Sequence, residues 1–402
     1  MRREDFPILG REINGRPLIY FDNAATSQTP RQVVEVIDRM YFTHKANVHR
    51  GTFAIAREAT ELLEATRRET ARYLNARSER EIVFTRGTTE AINLVAASYG
   101  GEFLKPGDHI ILTVMEHHAN IVPWQLLQRR VPVVIDVVPI LPDGSLDMEA
   151  YRGMFTDRTR LVSFCHISNV LGTVNPVAEM TRIAHEHGAV ALVDGAQATP
   201  HEAVDVQALG ADFYVFSSHK MYGPTGVGVL YGREELLEKM PPYQGGGEMI
   251  DHVSFKGTTF APPPLKFEAG TPDFVGIAAF AEALRYIGQV GIDRIKAREQ
   301  QLLDRAVPLM TEVPGMRLIG TAPGKCALVS FLLGDSHPFD VGTLLDQLGV
   351  AVRTGHHCAE PLMEWFGIPG TVRASFAFYN TEDEVDRFAE ALHRVAKMLR
   401  VG

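Results

Sequence analysis

Ser217-Ser218-His219-Lys220-Met221-Tyr222-Gly223-Pro224-Thr225-Gly226-Val227-Gly228 decides how this 402-residue chain is read. The apolar run 213–216 precedes it and the run 227–231 follows, so Lys220 comes off the end of one expected strand and a Gly/Pro turn leads into the next. A lysine held there stands at a fixed point above a sheet. The chemistry that needs such a lysine is Schiff-base formation with a carbonyl cofactor, for which pyridoxal phosphate (PLP) is the commonest candidate. A strand that merely ends in a solvated lysine fits the same residues, and the rest of the chain must choose.

Short β-branched runs at 82–85, 110–114, 131–138, 161–164, 189–193 and 213–216 read as buried strands, and amphipathic segments at 91–99, 121–129 and 177–187 lie between several of them. That alternation predicts βαβ units and an α/β fold with a mostly parallel, helix-covered sheet. Residues just after its strands become the functional suspects, because ligands bind outside the carboxyl ends of such strands. Two long helical patterns precede the sheet, at 32–42 and 54–74. After it come a loop-rich region at 241–272, a long helical stretch at 276–310, short strands such as 327–333 and a last helix at 381–399. The expected division is a large domain over 16–275 and a smaller α+β domain made of 1–15 and 276–402.

Net charge is −9 and no Lys/Arg-rich block stands out, which leaves no electrostatic footprint for nucleic acid or an anionic membrane. Three cysteines, Cys165, Cys326 and Cys358, are too few and too scattered for a disulfide framework or a CxxC zinc site, so a reducing, cytoplasmic setting is expected. The N-terminus has no apolar segment of the signal-peptide kind, and no apolar run approaches the ~18 residues of a membrane span.

Four further stretches carry chemistry. In Arg86-Gly87-Thr88-Thr89-Glu90, helix N-terminal N–H groups, two hydroxyls and a glycine form a ready phosphate cradle, although plain capping by threonine fits equally. Asp194 directly follows a buried strand. A carboxylate there can keep a pyridine nitrogen protonated, or it can cap the next helix, but Lys220 about one βαβ unit later suggests that the two bracket one ring. In Glu116-His117-His118-Ala119-Asn120 an imidazole can stack on a bound ring or serve a polar turn. Adjacent histidines without HExxH fail as zinc ligands, as does His356-His357-Cys358, so no metal is expected. Cys358 follows a Gly-His-His turn, where Arg353 and the histidines would stabilise a thiolate, while Cys165 and Cys326 sit in or beside apolar runs and read as inert. Arg373 could pair bidentately with a substrate carboxylate or make an ordinary salt bridge.

Together these residues resemble the class V group of PLP-dependent enzymes, and within it the group II cysteine desulfurases of the sulfur-mobilisation (Suf) type. The likeness runs through Phe21-Asp22-Asn23-Ala24-Ala25-Thr26, His49-Arg50-Gly51, the Arg86 and Glu116 stretches, Asp194-Gly195-Ala196-Gln197, Ser218-His219-Lys220, Phe267-Glu268-Ala269-Gly270-Thr271-Pro272 and Arg353-Thr354-Gly355-His356-His357-Cys358-Ala359. Group I desulfurases are less similar, because their cysteine lies in a longer, Ser-rich loop. The resemblance implies PLP fold type I, with a seven-stranded, mostly parallel sheet. It implies that Lys220 carries PLP, Asp194 pairs with the ring nitrogen, His117 stacks on the ring, and Gln197 and Asn169 face its phenolic oxygen. Phosphate contacts would come from Thr88, Thr89, Ser217 and His219, with Thr271 supplied by the second subunit of a homodimer. Arg373 and Asn169 would hold the substrate carboxylate, His49 and Arg353 would be further active-site residues, and Cys358 would accept sulfur as a persulfide. The implied reaction turns L-cysteine into L-alanine and passes sulfur toward iron–sulfur cluster assembly, through a SufE-like or zinc-containing SufU-like acceptor protein. A selenocysteine lyase acting on L-selenocysteine, or a cysteine sulfinate desulfinase, is the nearest rival and depends less on Cys358. An aminotransferase or kynureninase-like hydrolase has no reason for the Arg353–Cys358 stretch, and a catalytically silent assembly scaffold has none for Lys220 with Asp194.

Overall fold

In the computed structural model, which describes residues 3–401, seven strands lie side by side. Their spatial order is Ile82–Thr85, Gly228–Gly232, Phe213–Ser217, Val190–Asp194, Thr159–Cys165, His109–Thr113 and Val134–Val138. The last five run parallel, and Gly228–Gly232 is antiparallel to both of its neighbours. The sheet is thus mostly parallel, as expected. Its runs are apolar without alternation because helices cover both faces. Val83, Leu112, Leu192, Val215 and Leu230 enter the core on one side with Trp124, while Phe84, Ile111, Val193, Phe216 and Val229 enter the core on the other with Phe280. Register places Ser217 and Thr85 opposite Gly228, and Cys165 opposite Asp194. The residues that end these strands therefore share one edge of the sheet.

A second sheet, Met316–Ile319, Leu328–Leu333, Thr371–Ser375 and Arg353–Gly355 in that order, is antiparallel throughout. The helices Ile292–Thr311, Pro338–Gln347 and Glu382–Met398 pack on it around Val329, Phe331, Val372 and Phe388. Ile19 and Phe21 also enter this core, and Ile19–Tyr20 pairs in parallel with Val350–Ala351. Residues 1 and 2 of the expected N-terminal segment lie outside the described residues. Its Phe6 and Leu9 pack in the first core, while Arg3 Nη2 donates to Glu384 Oε1 at 2.6 Å.

Three expectations change. The strand expected at 131–138 begins only at Val134. The helical stretch 276–310 is two helices, Phe274–Val290 and Ile292–Thr311, bent by 73° at Gly291, whose φ of +89° suits glycine. No single helix among the described residues is long and apolar enough to cross a membrane; this pair meets both conditions only when taken together across its bend. The loop-rich region contains a hairpin, Ile250–Ser254 with Gly257–Phe260, whose strands are exposed on both faces and so lack the alternation that marks a half-buried strand.

Phe6 is 1% exposed, with ring centroids of Tyr379, Tyr286 and Phe378 at 4.6, 5.8 and 5.8 Å. Phe6→Ala should cost about 3–5 kcal/mol. A lower urea midpoint with unchanged slope is the expected result; an unchanged midpoint would remove the N-terminal segment from the core.

Candidate active site

A cavity of about 350 Å³ lies at the shared strand edge. Every residue given a site role by the family resemblance lines it except His49 and Thr271. At one end, strand Phe213–Ser217 delivers Ser217 to the start of helix Thr88–Val95. Ser217 Oγ accepts from the Thr88 N–H at 2.8 Å and lies 2.8 Å from Thr88 Oγ1, with Thr89 and His219 beside them. The approach is backbone to backbone, since a Cβ on Gly228 would fall 2.3 Å from Gly87 Cα. Hydroxyls and helix N-terminal N–H groups suit a phosphate there.

The middle of the cavity holds Asp194, Lys220 and His117. Burial pushes Asp194 up from the usual carboxylate range, against the Ala196 N–H at 3.0 Å and the nearby Lys220. Burial also holds Lys220 down, to about 8, with Asp194 opposing the shift. Among the described residues nothing hydrogen-bonds or ion-pairs with Lys220 Nζ. An amine so placed is a usable nucleophile near neutral pH. His117 accepts the Ala119 N–H on Nδ1 at 3.0 Å, which puts its ring proton on Nε2; burial, aided by Lys220, holds it neutral with a pKa of about 4. Gln197 donates to the Ala24 carbonyl at 2.7 Å.

Beyond them Arg373, 3% exposed, donates to the Asn169 carbonyl at 2.7 Å and meets Asp22 at 3.5 Å. Asp22 is shared with Arg353 at 2.7 Å. Among the described residues Arg373 Nε is buried without a partner, an unfilled donor on a planar fork that matches a carboxylate. Burial lowers Arg373 to about 10, which leaves it charged at neutrality. Asn169 donates to the His357 carbonyl at 2.8 Å, and the His118 N–H donates to the Cys358 carbonyl at 2.6 Å. His357 and Cys358 both take left-handed φ values, +54° and +56°, which are uncommon for residues with a side chain. Cys358 is exposed at the cavity mouth, whereas burial pushes Cys326 up to about 12 and Cys165 well above the usual thiol range, which keeps both protonated and inert.

His49 and Thr271 lie elsewhere. His49 Nε2 sits 3.0 Å from Glu64, which also meets the buried Arg67–Glu268 pair, and exposed Thr271 lines a separate pocket with Glu268. Sequence reasoning quoted Asp22 without giving it a task. Its signal is its partner, Arg373, which lies 351 positions away.

The profile described as aminotransferase class-V matches residues 19–388. The chain belongs to that family. Among class-V relatives, the cysteine desulfurase of Salmonella agona (strain SL483) is 52% identical over 398 residues, which is 99% of this chain and 98% of the relative. Among solved structures, the cysteine desulfurase CsdA of Escherichia coli, in an S-sulfonic acid form, superposes with a TM-score of 0.92 at 40% identity over 98% of each chain. The apo cysteine desulfurase of Thermococcus onnurineus NA1 gives 0.92 at 39%, again over 98% of each. All are similar to this chain over nearly its whole length.

The His49–Glu64 contact carries a pH signature. The Glu64 hydrogen bond raises His49 above 6.5; burial pushes Glu64 up, but His49 and Arg67 overcome it and hold Glu64 down to about 2. The imidazolium contribution is complete below 6.5 and lost as pH rises through the raised value; the carboxylate contribution is present above 4.5 and lost as pH falls toward 2. The melting-temperature gap between wild type and His49→Gln should be widest between about pH 4.5 and 6.5. A gap that does not vary with pH would show that the pair is uncharged.

Proposed function

We propose that this class-V protein is a PLP-dependent cysteine desulfurase that converts L-cysteine to L-alanine and carries the sulfur as a persulfide on Cys358. The observation that carries the reading is one cavity that holds Asp194, Lys220 with no hydrogen-bond or ion-pair partner among the described residues, and an exposed thiol, Cys358. The residues fit the cofactor: a hydroxyl and N–H cradle at one end, a buried carboxylate for a ring nitrogen in the middle, and a free amine beside it. When bound, PLP supplies the electron sink that loosens the bonds at the substrate's Cα and Cβ.

Thr88, Thr89, Ser217 and His219 would hold the phosphate, Asp194 would keep the ring nitrogen protonated, and neutral His117 would lie against the ring. Gln197 and Asn169 would face the phenolic oxygen. Arg373, with its free Nε, takes the substrate carboxylate together with Asn169, and Arg353 helps by holding Asp22. Lys220 moves the proton at substrate Cα, a task that suits an amine titrating near 8. Cys358, as thiolate, attacks the substrate sulfur; the S–S bond forms as the Cβ–S bond breaks, and the carbon left behind takes up a proton and leaves as alanine. His49 and Thr271 serve a second copy of the chain in a homodimer, a role supported by their absence from this chain's own cavity. The chain divides into a cofactor-binding unit, 16–275, and a smaller unit of 1–15 and 276–402, with Ile19 and Phe21 reaching into the smaller core and Phe6, Leu9 and Phe280 reaching from the smaller unit into the larger one. The product sulfur goes to a SufE-like or SufU-like acceptor for iron–sulfur cluster assembly in the cytoplasm.

With a reductant present, wild type should release equal amounts of alanine and sulfide from L-cysteine, and Cys358→Ala should bind PLP yet release neither. Lys220→Ala should lose roughly 10²–10⁴ in turnover through the missing proton transfer. Fast selenium release from L-selenocysteine by both wild type and Cys358→Ala, with little action on cysteine, would move the assignment to a selenocysteine lyase.

A further inference from the structure

His49 and Thr271, the two residues that stand apart from the cavity, are joined to each other through the interior of the chain. Helix Ala54–Tyr73 carries Thr60, Glu64 and Arg67 at i, i+4 and i+7, which puts all three on one face. Thr60 Oγ1 accepts the His49 N–H at 2.8 Å, and Glu64 Oε1 lies 3.0 Å from His49 Nε2. Backbone and ring are thus both fixed against the helix, although the φ of His49, +66°, is uncommon for a residue with a side chain. Further along the same face Arg67 is 1% exposed and uses all five of its N–H donors. Nε and Nη2 donate to Glu64 at 2.9 and 3.3 Å, and Nη1 and Nη2 donate to the two oxygens of Glu268 at 2.7 and 2.9 Å. The remaining donor on Nη1 takes the Ile82 carbonyl at 2.9 Å.

Glu268 stands three residues before Thr271. Between them the Gly270 N–H donates to the Gly247 carbonyl at 3.0 Å, and the neighbouring Glu248 brings Oε2 to 3.6 Å from His49 Nδ1. The contacts therefore close a ring, from His49 through Glu64, Arg67 and Glu268 to the Gly270 turn and back past Glu248. Stability alone does not call for such a cluster, because well-packed apolar side chains of similar volume often do as well. What the fork adds is geometry. A guanidinium bonded at every N–H holds its two carboxylates at one spacing, which a lysine cannot do. The Phe84 ring backs the plane, its centroid 4.7 Å from Arg67 Cζ.

We propose that Arg67 is a positioning residue that acts across the subunit boundary: it fixes His49 and the Thr271 turn relative to each other, so that one chain presents both to the cavity of a second copy. The proposal rests on the reading of His49 and Thr271 as residues that serve that second copy. The rival is a local role. The same fork holds the Ile82 carbonyl, and Glu268 Oε1 takes the Phe84 N–H at 2.7 Å, in the strand Ile82–Thr85 that leads to this chain's own Thr88. The two roles differ in whose cavity they affect.

Mixed dimers separate them. One chain carries Lys220→Ala, which silences its own cavity, and each chain carries a different affinity tag, so that every purified dimer has one live cavity. Two quantities are read there: turnover of L-cysteine, and the rate at which the absorbance of lysine-bound PLP decays while free PLP is trapped. With Arg67→Lys in the silent chain, turnover should fall about tenfold or more and PLP release should quicken, since misplacing a group by an ångström costs up to about 10²-fold. With Arg67→Lys in the live chain, both should match the dimer without it. The reverse pattern, equal effects from either chain, or no effect from either overturns the proposal. Glu64→Ala, at a side chain 30% exposed, guards against an Arg67 variant that fails to fold. In the silent chain it should lower turnover and leave PLP release unchanged, because it cuts the tie to His49 and spares the Arg67–Glu268 pair; a loss that follows the live chain instead overturns the proposal. A wild type that is monomeric or binds no PLP fails the reading beneath the proposal, and the proposal falls with it. A dimer that binds PLP but leaves cysteine untouched fails the reading of the substrate alone, and PLP release still decides the role of Arg67.

Discussion

The cavity depends on a guanidinium held out of water. Burying Arg373 unpaired would cost several kcal/mol, and the fold supplies its partners from two distant places. Asp22 comes from the segment that enters the second core, Asn169 from the loop after strand Thr159–Cys165, and Arg373 itself from the second sheet. The Ser375 N–H, at the end of Arg373's own strand, donates to the Phe21 carbonyl at 2.8 Å, so backbone and side chain close the same seam. Asn169 then passes the constraint on through its hydrogen bond to the His357 carbonyl, one residue before Cys358. Arg373 thereby ties the second sheet to the loop that follows a strand of the first.

Burial also simplifies the electrostatics of the site. His117, His219 and His357 are all held neutral near physiological pH, at about 4, 4 and 2, mainly because each is desolvated. They contribute shape and directed hydrogen bonds rather than charge. What remains is a short list of ionised groups: Arg373 and Arg353 against Asp22, and Lys220 against Asp194. A ligand that brings a phosphate and a carboxylate meets a positive balance at one end and a cradle of neutral donors at the other.

Much of this was legible in the sequence, for a local reason. Lys220, Asp194, Thr88 and His117 each lie within four residues of the end of an apolar run, and the strand ends of a parallel sheet converge on one edge whatever the intervening helices do. What stayed hidden depends on contacts between segments far apart in the chain. Asp22 gains meaning only beside Arg373, and Arg67 gains it only beside Glu268, 201 positions away. The bend at Gly291 was missed because the apolar pattern continues through it, although the glycine itself marked the place. The hairpin at 250–260 was missed because both of its faces are exposed, which leaves no hydrophobic period to read. His49 and Thr271 were grouped with the site by family likeness alone, and their position outside this chain's cavity has no signature in local sequence.

The left-handed pair His357–Cys358 has a further implication. The carbonyl of each residue is held from inside the molecule, by Asn169 and by the His118 N–H, and the next turn is held too, since the Glu360 N–H donates to His118 Nε2 at 3.0 Å. The sulfur therefore sits at the end of a short, anchored arm rather than on a swinging one. Under the proposed function, delivery then falls to the recipient: an acceptor of the sulfur must extend its own nucleophile into the mouth of the cavity, and its reach, more than the arm's motion, sets which acceptors can be served.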